Sequence, residues 1–343
     1  MRRYYQIEVV PRCLTFKRPA GTSRGVYTTR KLWEVRIRKE DEPSVIGIGE
    51  CAPLPDLSCD YGVDYEITLS KACLDLEQKG YVDTESLRHY PSILFGLETA
   101  MRHYEQGGWR HYDTPFSQGQ AGIPINGLIW MGDYKYMLEQ VEEKMKEGFR
   151  CVKLKIGAID FDRELSLLKH IRAQLRVDAN GAFTPSEAMD KLKRLAEMDL
   201  HSIEQPIRAG QLEEMARLAA ESPLPIALDE ELIGCNAPDE KRRLLETIHP
   251  QYIILKPSLH GGIAGCTKWV HLAETILGST PEQPKWWVTS ALESQIGLNA
   301  IAQWCATLGN PLPQGLGTGE IFKDDKHKLI QRKGDTIWFT NDL

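Results

Sequence analysis

Five charged residues recur at nearly even spacing: Lys155, Asp178, Glu204, Asp229 and Lys256 are separated by 23, 26, 25 and 27 residues. Three carboxylates brought together raise one another's pKa unless a cation stands among them. A hard divalent ion resolves that conflict. Mg²⁺ is the natural choice, with Mn²⁺ as its substitute, because it takes carboxylate oxygens and keeps positions for water or substrate. A metal beside two lysines is equipment for removing a proton from a carbon next to a carboxylate. The metal stabilises the second negative charge of the resulting enediolate. A lysine that is desolvated near a cation has a depressed pKa and acts as the base. Lys153, two residues before Lys155 and on the same strand face, adds to that depression.

Each motif has a plainer reading when taken singly. Lys153-Leu154-Lys155 reads as a solvated strand edge, and Asp178-Ala179-Asn180-Gly181 as a turn. Glu204-Gln205-Pro206 reads as a strand end, and Asp229-Glu230-Glu231 as a helix cap. What these readings leave unexplained is the common phase. All five charges close apolar runs one strand-plus-helix unit apart.

The elements that must position them follow from that rhythm. Candidate strands are 123–129, 151–155, 175–178, 202–204, 226–229, 252–256, 286–290 and 314–317, in a texture of short apolar strands each followed by a helical segment. Thr184-Pro185-Ser186-Glu187 combines an N-cap, a proline in the first turn and a capping-box glutamate. Ala188, Leu192, Leu195 and Ala196 then recur on one helical face. Parallel βα units of this number predict an α/β fold with a TIM-like barrel, whose carboxyl rim gathers the strand ends into one cavity. Before it, residues 5–14, 26–38 and 45–50 read as an antiparallel meander, and 65–78 and 92–104 as helices. The expected organisation is an α+β capping domain over 1–110, a linker over 106–120, a barrel over 121–319, and a return segment over 320–343 that includes a strand at 335–339 and completes the cap.

The residues resemble the enolase superfamily, in its muconate-lactonizing subgroup, over nearly the whole chain. Lys153-x-Lys155, Asp178-x-Asn180, Glu204-Gln205-Pro206, Asp229-Glu230 and Lys256-Pro257 stand in that family's order, and lysine bases with Mg²⁺ are its known equipment. The resemblance implies a (β/α)7β barrel, with Asp178, Glu204 and Asp229 as metal ligands, and Asn180, Glu230 and Arg176 supporting them. Within the subgroup the chain looks most like the o-succinylbenzoate synthase family. That implies dehydration of 2-succinyl-6-hydroxy-2,4-cyclohexadiene-1-carboxylate in menaquinone biosynthesis. Lys155 would remove the α-proton and assist loss of the hydroxyl from the same face. Lys256 would steady the anionic ring from the other, and Arg176 would position the base. Ser290 would hydrogen-bond the succinyl carboxylate, against the alternative of a strand-end cap, and Gly315 would stand where the final strand borders the pocket, against the alternative of a simple turn. Two cap loops, 16–25 with Arg18 and Arg24, and 49–55, would close the site without an assigned contact.

Other readings of the same constellation are an N-succinylamino acid racemase, a muconate cycloisomerase and a non-catalytic binding protein on the same fold. A dipeptide epimerase is disfavoured, because Ser290-Ala291-Leu292 stands where those enzymes carry Asp-x-Asp. The composition is that of a globular protein of 343 residues, 42% hydrophobic and 26% charged, with a net charge of −6. That balance speaks against a nucleic-acid-tracking surface. No apolar run of membrane-spanning length occurs and the first seven residues do not form a leader, so a soluble, cytoplasmic protein without a membrane partner is expected. A small carboxylate is the expected substrate, and the sequence is silent on an oligomeric partner. The eight cysteines lack metal-site spacing and read as reduced, mostly buried thiols.

Overall fold

The computed structural model describes residues 3–22 and 25–340. Strands β1 (Gln6–Thr22), β2 (Gly25–Arg38) and β3 (Gly47–Cys51) form an antiparallel sheet in that order. Leu32, Trp33, Val35 and Ile37 of β2 are buried, and helices α1 (Tyr65–Lys79) and α2 (Pro91–Gln106) cover the sheet. Pro91 opens α2, and Gly107, in the left-handed conformation, closes it. The crossing of β3 and α2 requires glycine. A Cβ on Gly49 would lie 2.0 Å from the Gly96 carbonyl oxygen, and one on Gly96 would lie 2.2 Å from Cys51 Sγ.

The segment after α2 is packed rather than free. Phe116 and His111 are buried, and Asn299 and Gln303 donate to the Trp109 carbonyl. The expected first barrel strand then divides in two. β4 (Ile123–Pro124) pairs with the C-terminal hairpin, while β5 (Gly127–Ile129) enters the barrel. After α3 (Tyr134–Lys146), strands and helices alternate as β6 (Cys151–Lys155), α4 (Phe161–Leu168), β7 (Gln174–Asp178), α5 (Pro185–Ala196), β8 (Ser202–Glu204), α6 (Leu212–Glu221), β9 (Ile226–Leu228), α7 (Pro238–Ile248), β10 (Tyr252–Leu255), α8 (Gly262–Ile276), β11 (Trp286–Val288) and α9 (Gln295–Thr307). The strands β5 to β11 are parallel and paired in sequence order. The capping box at Thr184 forms as expected, with Glu187 accepting from the Thr184 amide at 3.0 Å.

The expected eighth strand is reduced to two bridges. Gly315 pairs with Thr289 and Gln314 with Ile125, and these close the barrel between β11 and the start of β5. The C-terminal hairpin, β12 (Ile330–Lys333) and β13 (Thr336–Phe339), pairs with β4 instead of joining the N-terminal sheet. β4 leads into the amino end of β5, so this small sheet lies at the barrel mouth opposite the charged strand ends. Contact with β1 comes from the stretch before the hairpin: Lys17 donates to Ile321, Lys323 donates to Thr15, and the Phe16 and Phe322 rings lie 4.7 Å apart. The stretch 16–25, read as a loop, is β1 as far as Thr22, with Phe16 and Ala20 buried; Arg24 lies outside the described residues. All eight cysteines are free thiols, five of them buried.

Candidate active site

Alternation along β6 turns Lys153 and Lys155 to one side of the sheet and Leu154, fully buried, to the other. The parallel register then places Lys155 beside Asp178 and Asp178 beside Glu204. Asp229 and Lys256 follow directly after β9 and β10. All five predicted strand-end charges therefore meet at the carboxyl rim of the barrel.

Their contacts are specific. Lys153 Nζ lies 2.8 Å from Asp178 Oδ2 and 2.6 Å from Glu204 Oε2. Lys256 Nζ pairs with Asp229 Oδ2. Lys155 Nζ donates to Asn180 Oδ1 at 3.1 Å, and Asn180 in turn donates to Glu230 Oε1 at 2.9 Å. Asn180 takes a left-handed backbone, φ 45°, and its amide donates to Asp178 Oδ1. At this site three buried carboxylate oxygens, Glu204 Oε1, Asp229 Oδ1 and Glu230 Oε2, have no hydrogen-bond partner among the described residues.

The charges are poised unequally. Burial alone would lower Lys153, but Asp178 and Glu204 outweigh it and hold the ammonium charged. Burial lowers Lys155; Asp178 pulls it back, while Lys153 and Lys256 deepen the depression. Lys256 is raised, because Asp229 and Glu204 outweigh its burial. Asp178 resists burial through Lys153 and Lys155 and stays near 2, whereas burial and then Asp178 push Glu204 up to about 8. Burial followed by Asp229 raises Glu230 to about 7.

Among the described residues, no three His, Cys, Asp or Glu side chains close into a finished cation cage. The reason is visible in the contacts: Lys153 and Lys256 draw one oxygen each from Asp178, Glu204 and Asp229. The unpartnered oxygens of Glu204 and Asp229 are the ones a hard cation would satisfy, and costly as they are when buried alone, they fit that ion.

Residues 136–331 match the family model described as Enolase C-terminal domain-like. The o-succinylbenzoate synthase of Desulfotalea psychrophila is 44% identical over 91% of this chain and 93% of its own length. The chain belongs to the enolase C-terminal domain-like family. Among solved structures of this family's fold, MenC from the same organism superposes with a TM-score of 0.79 at 36% identity, covering 97% of this chain and 99% of that one. A dipeptide epimerase from Enterococcus faecalis V583, solved with Mg and a dipeptide, gives 0.82 at 18% identity over 99% and 98%. The second likeness speaks for the barrel-and-cap fold only.

In this enolase-type site the remaining expected residues fall as follows. Ser290 faces the cavity and shares a hydroxyl hydrogen bond of 2.6 Å with Thr318. Gly315 borders the cavity with its backbone, and a Cβ there would lie 2.4 Å from Thr289 Oγ1. Arg176 is buried one layer beneath Asp178, stacked 3.9 Å from the Trp287 ring centroid and donating to the Pro313 carbonyl. It is no surface arginine, and its register partner on β6 is Lys153, not Lys155.

Several lining residues carried no charge to draw attention in the sequence. Trp130 and Thr318 close the cavity from the barrel side, and Tyr27, Leu54 and Leu57 from the cap. Trp130 stands one residue past β5, the same position relative to a strand end that singled out Asp229 and Lys256. Leu54 belongs to the 49–55 stretch already expected over the barrel mouth. Tyr27 donates from its hydroxyl to the Pro55 carbonyl at 2.8 Å, joining β2 to that loop.

Proposed function

We propose that this chain is a carbon–oxygen lyase that dehydrates 2-succinyl-6-hydroxy-2,4-cyclohexadiene-1-carboxylate to o-succinylbenzoate, a step of menaquinone biosynthesis. The observation that carries the reading is a depressed Lys155 and a charged Lys256 on the same cavity, flanking Asp178, Glu204 and Asp229. The near full-length similarity to the Desulfotalea psychrophila synthase supports it.

The α-proton of a carboxylate is weakly acidic, so its removal needs a neutral base and positive charge at the oxygens. Mg²⁺ held by Asp178, Glu204 and Asp229 supplies that charge when bound. Lys155, whose pKa is lowered by desolvation and by the ammonium of Lys153, takes the proton in its unprotonated form. The C–O bond then breaks, Lys155 returns the proton to the departing hydroxyl, and one water leaves as the ring becomes aromatic. Lys256 stays cationic and faces the anionic ring. Asn180, bonded to Lys155 and Glu230, orients the base. The wall of Leu54, Leu57, Trp130 and Leu292 excludes water from the diene, while Ser290 and Thr318 offer hydroxyls to the succinyl group.

We read residues 1–110 as the cap, 121–319 as the catalytic barrel and 320–343 as the return that ties them. Among the described residues no helix is long and apolar enough to cross a membrane, and we read the enzyme as cytoplasmic. The test is a direct assay of purified protein, Mg²⁺ and substrate, following aromatisation by absorbance and loss of water by mass, with an EDTA control. Metal-dependent product is expected. Its absence, with metal still bound, would move the reading to a racemase, for which lysines on opposite sides of one cavity are also suited. Proton exchange of N-succinylamino acids in D₂O would then decide.

A further inference from the structure

Arg30 of β2 is buried at 2% exposure; the charges of Glu293 and Glu50 reach it, but its hydrogen bonds among the described residues all go to main-chain oxygens. Its guanidinium is spent on four backbone carbonyls. Nη1 donates to Pro53 at 2.5 Å, Nη2 donates to Ala52 and, at 3.3 Å, to Ala291, and Nε donates to Leu292 at 3.1 Å. Two of these carbonyls belong to the cap loop that carries Leu54. The other two belong to the barrel loop after β11 that carries Ser290. Both loops line the substrate cavity.

Three further features make this junction more than a generic contact. Leu292 holds a left-handed backbone, φ 63°, which a bulky side chain adopts only when its surroundings impose it. The next residue, Glu293, accepts from Ser258 Oγ at 2.5 Å, and Ser258 stands two residues after Lys256. A planar fork with five N–H donors can serve carbonyls from two directions at once, which a lysine ammonium on a flexible stem does not reproduce.

We propose that Arg30 is a positioning residue that shapes the substrate pocket by fastening the cap loop at 52–54 to the barrel loop at 290–293. The inference rests on the dehydratase reading for its substrate, but not for its structural content. Arg30 touches neither the reacting carbon nor the lysines. Its removal acts on how well the succinyl end and the ring are seated, and so on KM more than on kcat.

The experiment compares wild type with Arg30→Ala and Arg30→Lys by steady-state kinetics and by amide hydrogen exchange of the 50–57 and 289–297 segments. Arg30→Ala is expected to raise KM by about 10-fold or more while kcat changes less than about 3-fold. Exchange should quicken in both segments together. Guanidinium ion at sub-denaturing concentration should restore KM and protection toward wild type, because it refills the four-carbonyl site; added sodium chloride should not. Arg30→Lys covers the case in which the alanine protein does not fold, and is expected to keep the fold with KM raised and both segments loosened. Unchanged KM and exchange in a folded Arg30→Lys protein would overturn the proposal. So would loosening of only one segment, or a defect that guanidinium leaves untouched in a folded Arg30→Ala protein. If wild type itself does not turn over the cyclohexadiene carboxylate, the dehydratase reading fails, and the exchange data alone then judge Arg30.

Discussion

Lys153 and Lys155 stand two residues apart on one strand face, yet they are held for opposite tasks. Lys153 is locked between Asp178 and Glu204 at 2.8 and 2.6 Å, while Lys155, among the described residues, donates to the neutral amide oxygen of Asn180 at 3.1 Å. One lysine is kept charged by its neighbours, and its charge, added to burial, pushes the pKa of the other down.

Replacing Lys155 with alanine should therefore lower kcat by about three orders of magnitude or more. Circular dichroism and metal binding should stay as in wild type. Substantial turnover by the folded variant would remove Lys155 from the role of base.

The pH profile separates the two lysines. The rate should rise with pH as Lys155 loses its proton, with the rising limb below the ordinary lysine value of 10.5. The Lys153 charge lowers Lys155, so Lys153→Met should move that limb to higher pH. A limb that stays in place in Lys153→Met would show that Lys153 does not tune the base, leaving its depression to desolvation and Lys256.

Stripping divalent ions with EDTA should abolish turnover, and Mg²⁺ should restore it. Asp229→Asn removes charge from an oxygen that is buried without a partner, and should weaken Mg²⁺ binding by about 10-fold or more. Calorimetric titration of both proteins measures this without reference to the reaction.

Ser290→Ala leaves Thr318 without its partner at 2.6 Å and removes one hydroxyl from the cavity wall. KM should rise by about 10-fold, equivalent to ~1.4 kcal/mol, with kcat changing little. Equal losses in kcat and kcat/KM would place the residue in the chemical step instead.

Stability should carry a signature of Glu50, a fully buried cap residue that accepts from the Ser294 amide and hydroxyl and from the Gly297 amide. Burial outweighs those hydrogen bonds and raises its pKa from 4.5 to about 7. The neutral form is thus favoured in the folded state. Its contribution is fully present below pH 4.5 and is lost as pH rises through 7, on the order of 3 kcal/mol for this group alone. Urea midpoints measured from pH 4 to 8 should fall more steeply for wild type than for Glu50→Gln. Parallel pH dependences in the two proteins would contradict this.

The chemical half of the site was legible in the sequence because charge at a strand end is rare enough to stand out, and the βα period assigned Lys155, Asp178, Glu204, Asp229 and Lys256 to one rim. The seating half was less legible. Trp130, Leu54 and Tyr27 are apolar or aromatic residues of the sort that fill any core, and only the docking of the cap marks them as pocket wall. Arg30 was invisible for a related reason: its partners are backbone carbonyls, which leave no trace in residue type. The strand at 314–317 was over-read because Gln314-Gly315-Leu316-Gly317 has the punctuation of a strand end, while its pairing depends on two bridges. The division at Ile125 was missed because β4 draws its register from β13, two hundred residues away.

Those two bridges also separate two kinds of change. The clustered lysines and carboxylates sit on, or directly after, strands that pair continuously from β6 to β10, whereas Ser290, Gly315 and Thr318 lie at the seam where the barrel is closed most sparingly. Substitutions at the seam can alter which acyl group fits without disturbing the ladder that aligns Lys155 with Asp178 and Glu204. Under the dehydratase reading, the architecture thus lets selectivity drift while the charged strand ends stay fixed, and a pocket redesigned for another succinyl compound would begin at 315–318.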